Sequence, residues 1–139
     1  MTLIGEREAR ILERGKQRLM ACDDWLTRDE LDALMSHMAF GPNLDIDGMV
    51  RDGMLFSIKL DGAEYFPRYS FNSSDYSYIE AMQMIITVLG SQKDGWGMAF
   101  WFGSSDGCLG GRQPKSVLTE DPRAVLEAAE LEVCGAMHG

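Results

Sequence analysis

Ser105 lies in a pattern that serine hydrolases use for their nucleophile. The segment Gly103-Ser-Ser-Asp-Gly107 matches G-x-S-x-G, in which a strand leads into the serine and a helix follows it. The same chemistry needs a histidine later in the chain, and the sole candidate is His138, next to the last residue. The aromatic segment before Ser105 predicts a helix and not a strand. We therefore interpret residues 103–107 as a flexible glycine loop.

A second pattern could bind a metal ion. Asn43-Leu-Asp-Ile-Asp-Gly48 fits the first six positions of a calcium loop. The twelfth position should supply a bidentate glutamate but holds Met54, and Arg51 adds a positive charge nearby. We interpret the segment as an acidic helical turn. His37 lies among apolar residues and is interpreted as a packed side chain and not as a metal ligand.

The sequence holds no assembled set of nucleophile, base and orienting group, so we expect a protein that is not an enzyme. No catalytic residue, metal site or cofactor is predicted. The cysteines are Cys22, Cys108 and Cys134, an odd number without C-x-x-C spacing. Disulfides are therefore not expected, and a reducing compartment fits better.

The chain is acidic: 22 Asp and Glu residues against 13 Lys and Arg residues give a formal charge of −9. This charge opposes broad attraction to nucleic acid or to an anionic membrane, and it suits docking onto a basic partner protein. The start of the chain is charged where a signal peptide would be apolar, and no apolar run is long enough to span a bilayer. We expect a cytoplasmic protein without a membrane partner.

A basic stripe runs along the first predicted helix, residues 6–20. Its members are Arg7, Arg10, Arg14 and Arg18, which fall on one side of a helix. Runs of charge usually form solvated faces, and this is the first interpretation. The second is a stripe that contacts the phosphates of DNA.

The next segment predicts a second helix with clear start signals. Thr27-Arg-Asp-Glu30 is a capping box, in which each end accepts a hydrogen bond from the backbone of the other. Leu26 and Leu31 stand at the positions of the accompanying hydrophobic staple. Gly41-Pro42 ends the segment, and a short helix over residues 45–51 follows.

A hairpin follows the short helix. Apolar and polar residues alternate over residues 56–60, and residues 63–66 form the returning strand, which Pro67 ends. Asp61-Gly62 between them is a signal for a tight turn, since both residues tolerate positive φ. Helix, break, helix and hairpin is the order of a helix-turn-helix with a wing.

The second half predicts helices. A central helix spans residues 78–89 and is apolar nearly all round. An aromatic helix over residues 96–102, a glycine-rich loop and a short helix from Pro114 follow. The last helix starts at Asp121-Pro122 and is closed by Gly135.

These elements predict a mainly α fold with a small β-hairpin. We expect a winged helix-turn-helix over residues 1–71 and a small helical bundle over residues 72–139. The polar run at residues 72–75 is expected to be a linker. A homodimer is expected as well, because a chain rich in Met and aromatic residues often covers an exposed patch by self-association.

Two stretches carry a resemblance to a known family. Arg51-Asp-Gly-Met-Leu-Phe with Asp61-Gly-Ala-Glu-Tyr-Phe-Pro67 resembles a pattern of small bacterial helix-turn-helix proteins. Residues 96–129 resemble the C-terminal toxin-binding domain of Xre/MbcA/ParS-type antitoxins. The matching elements are the aromatic helix, Leu109-Gly-Gly-Arg-Gln-Pro114, Leu118, Asp121-Pro-Arg-Ala-Val125, Ala128 and Ala129.

The resemblance implies a type II antitoxin that binds and neutralises a cognate toxin. The usual toxins of this group are RES-type proteins that consume NAD, and the antitoxin itself would bind no NAD. The resemblance also implies a homodimer that binds operator DNA through its N-terminal part. The alternative is a stand-alone helix-turn-helix transcriptional regulator without a toxin partner.

Candidate contact residues follow from these interpretations. The residues expected to contact the partner are Leu109, Gly110, Gly111, Arg112, Gln113 and Pro114. The residues expected to contact DNA are Arg7, Arg10, Arg14, Arg18, Arg51 and Lys59. Against DNA binding, the helix over residues 45–51 carries Asp45 and Asp47, which repel phosphates, and Arg51 is its only cation.

Overall fold

The computed structural model describes residues 3–36 and 45–138. Its helices are α1 (Leu3–Ala21), α2 (Arg28–Ser36), α3 (Ile46–Arg51), α4 (Ala81–Leu89), α5 (Gly95–Phe102), α6 (Pro114–Val117) and α7 (Pro122–His138). Its strands are β1 (Trp25–Thr27), β2 (Ile58–Leu60) and β3 (Ala63–Pro67). The expectation of a mainly α fold with a small β-hairpin is confirmed.

The hairpin forms where the sequence predicts it. β2 and β3 pair antiparallel, with Leu60 opposite Ala63. Asp61 has a φ of 52° and Gly62 a φ of 82°, the left-handed values that a tight two-residue turn requires. This hairpin lies where the wing was expected and is called the wing below.

The third strand, β1, was not predicted from the sequence. β1 pairs antiparallel with β3, so that Trp25 lies opposite Pro67 and Thr27 opposite Tyr65. The strand order in the sheet is β1-β3-β2. This sheet and the order α1-β1-α2-α3-β2-β3 of the described elements agree with the expected winged helix-turn-helix, in which residues 37–44 between α2 and α3 lie outside the described residues.

The start of α2 confirms the capping box. The Glu30 backbone N–H donates to Thr27 Oγ1 over 3.2 Å, and the Thr27 N–H donates to Glu30 Oε1 over 3.0 Å. The hydrogen bond from the Thr27 backbone lowers the pKa of the Glu30 carboxyl. Leu26 and Leu31 of the predicted staple are both buried. The predicted stop at Gly41-Pro42 lies outside the described residues, as do His37 and Asn43.

α3 starts at an aspartate cap. Asp45 Oδ1 accepts a hydrogen bond from the Gly48 backbone N–H over 2.8 Å. A Cβ at position 48 would lie 2.4 Å from that oxygen, so in this placement the carboxylate occupies space that the Cβ of a larger residue would need. The predicted short helix over residues 45–51 is therefore present, with Asp45 used as its cap.

The core consists of two clusters of buried side chains. The smaller one joins α2, α3 and the wing through Leu31, Met49 and Phe66. The larger one spans both sides of the expected boundary at residues 71 and 72. In it, Phe56 stacks on Phe102 with ring centroids 5.9 Å apart and an interplanar angle of 8°.

The segment expected to be a linker is a closed turn. Asn72 Nδ2 donates to Ser77 Oγ over 2.9 Å, and the Ser77 backbone N–H donates to Asp75 Oδ1 over 3.0 Å. Phe71 and Tyr78 flank this turn as a bridge pair. The connection between the two halves is therefore tied down by hydrogen bonds.

Two expectations about the C-terminal helices were wrong. α4 was expected to be a central helix, apolar nearly all round, but Met84 on it is 59% exposed. Gly135 was expected to close α7, yet the helix continues to His138. Of the helices that the structure describes, none is both long enough and apolar enough to cross a membrane.

Candidate functional site

The segment from Leu109 to Pro114, here called the glycine–proline loop, connects α5 to α6 by way of Asp106. The Asp106 carbonyl accepts hydrogen bonds from the backbone N–H groups of Leu109 over 3.0 Å and Gly111 over 2.9 Å. The Asp106 N–H donates to the Arg112 carbonyl over 3.1 Å. Its carboxylate also accepts from the Cys108 N–H over 2.8 Å. One residue thus holds most of the loop backbone in a fixed shape.

The tip of this loop, Gly110, Gly111 and Arg112, is exposed. Gly110 has a φ of 67° and Gly111 a φ of 82°, so both lie in the left-handed region that favours glycine. A Cβ built at either position would meet no atom within 4 Å. The space outside the tip is therefore open to a partner.

The other members of the loop anchor it. Leu109 and Pro114 are buried, so their side chains position the tip and do not offer contact surface. The Gln113 side chain makes no cap for α6, and its Nε2 instead donates to the Gly103 carbonyl over 2.8 Å. The candidate contact residues thus divide into an exposed tip and its supports.

Arg112 is the charged group of the tip. Its Nη1 donates to Glu120 Oε2 over 2.8 Å, and both side chains are exposed. This hydrogen bond lowers the pKa of the Glu120 carboxyl and raises the pKa of the Arg112 guanidinium. The guanidinium is thus held beside the tip while several of its N–H groups remain able to donate to a partner.

The groups near the loop are not arranged for nucleophilic chemistry. Ser105 follows α5 and not a strand, so the backbone lacks the geometry of a nucleophile elbow. Desolvation, followed by the charge of Asp106, raises the pKa of the Cys108 thiol, which disfavours the thiolate. Among the described residues, no group of His, Cys, Asp and Glu side chains could hold a metal ion.

The candidate DNA-binding residues of α1 lie together on one exposed face of that helix. Arg7, Arg10, Arg14 and Arg18 are all exposed. The helix rests against α5 by its other side, where Lys16 Nζ lies 4.8 Å from the centre of the Trp96 ring. The basic stripe therefore belongs to a helix that contacts the C-terminal half.

α3 and the wing form the second candidate DNA surface, and Arg28 links them. Its Nη2 lies 2.9 Å from Asp47 Oδ1 and 2.6 Å from Glu64 Oε1. The hydrogen bond from Arg28 lowers the pKa of the Glu64 carboxyl. Asp47, expected to repel DNA, is therefore paired with Arg28, a cation that was not among the predicted site residues.

Two further cations were expected to contact DNA. Arg51 on α3 is exposed, with its Nε 3.5 Å from Asp52 Oδ1. Lys59 on β2 is exposed too. The structure thus places Arg51 and Lys59 on the winged part and the arginines of α1 on another element.

Comparisons with protein-family models, with curated proteins and with solved structures found no match to this chain.

Proposed function

We propose that this chain is an antitoxin-like protein that binds and neutralises a cognate toxin through the tip of the glycine–proline loop. The observation that carries the proposal is an exposed tip fixed in one shape by Asp106 and by buried anchors. A loop that is ordered before binding loses little conformational entropy when it docks, so more of its contact energy appears as affinity.

The sequence resemblance supplies the kind of partner. It points to a RES-type, NAD-consuming toxin, with this chain contributing no NAD site of its own. The charge of −9 favours association with a basic surface. Arg112 would then add a local cation that can pair with a carboxylate of the toxin.

Co-expression with the product of the adjacent reading frame tests this proposal. We expect the wild-type chain to relieve growth inhibition and to co-purify with that product. Arg112→Glu should weaken relief, because it reverses the charge of the tip. The matched control is Arg123→Glu, which reverses another exposed arginine with a glutamate partner, Glu127, on α7.

Failure of the wild-type chain to relieve toxicity or to co-purify would contradict the proposal. If Arg112→Glu and Arg123→Glu relieved toxicity equally, the tip of the glycine–proline loop would not be the surface that binds the toxin.

A second candidate function rests on the winged helix-turn-helix topology. The chain would bind operator DNA, either to regulate its own promoter or as a stand-alone regulator without a toxin. Arg51 and Lys59 lie on the winged part, and pairing with Arg28 offsets the charge of Asp47. Arg7, Arg10, Arg14 and Arg18 would contact phosphates from α1.

Binding to promoter DNA, measured at about 50 mM and about 200 mM salt, tests the second function. We expect binding that weakens steeply with salt. Arg51→Gln should reduce specific binding more than Arg123→Gln does. No specific binding at the lower salt would contradict this function and leave the antitoxin proposal standing.

The chain would act as a homodimer in the cytoplasm. On α1, Ile11 is 61% and Leu12 48% exposed, and self-association would cover them. Cys22, Cys108 and Cys134 are free and exposed, which suits a reducing compartment. Light scattering should give the mass of a dimer, and Ile11→Glu should shift it toward the monomer. A wild-type monomer at all concentrations would contradict the dimer.

A further inference from the structure

A cleft of about 380 Å³ lies where the winged part meets the C-terminal helices. Asp24 and Arg68 line it from the winged part, Tyr69 and Tyr76 from the segment that follows, and Lys115 from α6. Lys115 directly follows Pro114, so the cleft lies beside the base of the glycine–proline loop. Neither proposed function uses this cleft.

The charged side chains of the cleft favour an anion. Lys115 Nζ forms an ion pair with Asp24 Oδ2, and both side chains are largely buried. Among the described lining residues, this pair leaves Arg68 as the cation without an ion-pair partner. Outside the cleft, Asp23 Oδ1 lies 3.6 Å from Arg68 Nη2 and is 97% exposed, and the charge of Arg68 also acts on the Glu30 carboxylate. The lining thus carries two cations and one carboxylate in a chain of charge −9. A guanidinium presents the paired N–H groups that bind a carboxylate with two hydrogen bonds.

Tyr76 at the rim of the cleft has an unusual backbone conformation. Its φ is 60°, in the left-handed region that a bulky residue rarely adopts, and it is 50% exposed. The Tyr76 N–H donates to the Asn72 carbonyl over 2.8 Å, so the turn holds it there. Strain of this kind clusters at ligand clamps, where the surrounding structure maintains it. An aromatic ring held in solvent at a cleft rim is available to stack on a planar ligand.

Apolar and aromatic side chains complete the lining of the cleft. Phe71 and Leu34 add apolar surface to the wall. Tyr69 also lines the cleft, and its buried hydroxyl has no hydrogen-bond partner among the described residues. Burial, followed by the charge of Asp24, raises the pKa of this hydroxyl, so it stays protonated.

We propose that this cleft binds a small aromatic carboxylate, with the carboxylate on the Arg68 guanidinium and the ring against Tyr76 and Phe71. The cleft volume admits one or two fused rings. The ion pair between Asp24 and Lys115 stays intact and forms part of the polar wall.

Ligand-observed NMR and calorimetry on the full chain test the proposal with 2-naphthoate as the probe. We expect a Kd of about 1 mM or tighter, the range for a ligand of this size. Acetate, which lacks the rings, and 2-naphthalenemethanol, which lacks the charge, should each bind about tenfold more weakly. No binding of 2-naphthoate at about 10 mM, or equal binding of the alcohol, would overturn the proposal.

Variants at the rim separate binding from folding. Tyr76→Gly relieves the positive φ, so the chain should be as stable as the wild type or more so. Because the ring is lost, it should nevertheless bind 2-naphthoate about fivefold more weakly. The matched control is Asp61→Gly, which relieves a φ of 52° in the wing turn. It should leave binding unchanged.

Substitution of Arg68 tests the proposed contact with the ligand carboxylate. Arg68→Gln should weaken 2-naphthoate binding about tenfold and leave binding of the alcohol unchanged, whereas Arg123→Gln should alter neither. Wild-type affinity in Tyr76→Gly or Arg68→Gln would overturn the proposal, as would an equal loss in Asp61→Gly.

Discussion

The cap of α3 gives a prediction in which one substitution changes the effect of another. The Asp45 carboxylate caps this helix through the Gly48 N–H, and a Cβ at position 48 would lie 2.4 Å from Asp45 Oδ1. Gly48→Ala must therefore displace the carboxylate. Loss of an aspartate cap costs about 1 kcal/mol, and replacing a helical glycine with alanine returns about 0.8 kcal/mol. Gly48→Ala alone should thus change the free energy of unfolding little.

The same substitution should act differently without the carboxylate. Asp45→Ala should cost about 1 kcal/mol by removing the cap. In that background the nearest remaining neighbour of the new Cβ is Arg51 Nη2, at 3.4 Å, which is an ordinary contact. Gly48→Ala should then stabilise the chain by about 0.8 kcal/mol. The double-mutant cycle should therefore give a coupling of about 1 kcal/mol between the two positions.

Urea unfolding of the four proteins in this cycle measures the coupling. The chain offers a matched comparison at α5, where Asp94 Oδ1 accepts from the Gly97 N–H over 2.7 Å. There a Cβ at position 97 would lie 3.2 Å from the carboxylate oxygen, so a small shift suffices and the coupling should be smaller. Additive effects at positions 45 and 48, within about 0.3 kcal/mol, would show that a Cβ at position 48 does not displace the Asp45 carboxylate from the cap.

Further predictions concern the core, the wing and the last helix. Phe102→Ala should destabilise the chain by about 3–5 kcal/mol in guanidinium unfolding, because Phe102 is fully buried against Phe56; a loss below about 1 kcal/mol would contradict this packing. The pairing with Arg28 lowers the pKa of the Glu64 carboxyl in the folded chain. The ion pair therefore stabilises the fold at a pH above the ordinary pKa of 4.5, and this stabilisation is lost as the pH falls through the lowered pKa. Arg28→Met should make the free energy of unfolding depend less on pH in this range. An unchanged dependence would contradict a stabilising ion pair between Arg28 and Glu64. Gly135→Ala should stabilise the chain by about 0.5 kcal/mol in thermal unfolding, because α7 continues through this position, and destabilisation would indicate that the helix ends there.

Features set by neighbouring residues could be predicted from the sequence. The capping box of Thr27 and Glu30 and the turn at Asp61 depend on residues two or three positions apart, so their side chains and dihedral angles follow from local rules. β1 could not be predicted this way, because Trp25 and Thr27 become a strand only by pairing with residues about forty positions later.

The glycine–proline loop also has features that local sequence predicts and features that it does not. Two adjacent glycines, Gly110 and Gly111, indicate a turn with positive φ, and apolar Leu109 indicates an anchor. The role of Asp106 as the acceptor for several loop N–H groups depends on the closed shape of the loop. An aspartate followed by glycine was the available signal for it. The cleft was not predictable, since Asp24 and Lys115 are 91 positions apart in sequence.

Calorimetry with two asparagine variants tests whether the tip of the glycine–proline loop docks onto the proposed toxin. Asparagine tolerates left-handed φ, so Gly111→Asn adds a side chain to the open space at the tip without forcing the loop to change shape. Gly62→Asn does the same in the wing turn, where the φ is also 82° and no atom lies within 4 Å. We expect Gly111→Asn to weaken toxin binding at least tenfold and Gly62→Asn to leave it unchanged. Wild-type affinity in Gly111→Asn would contradict docking through the tip.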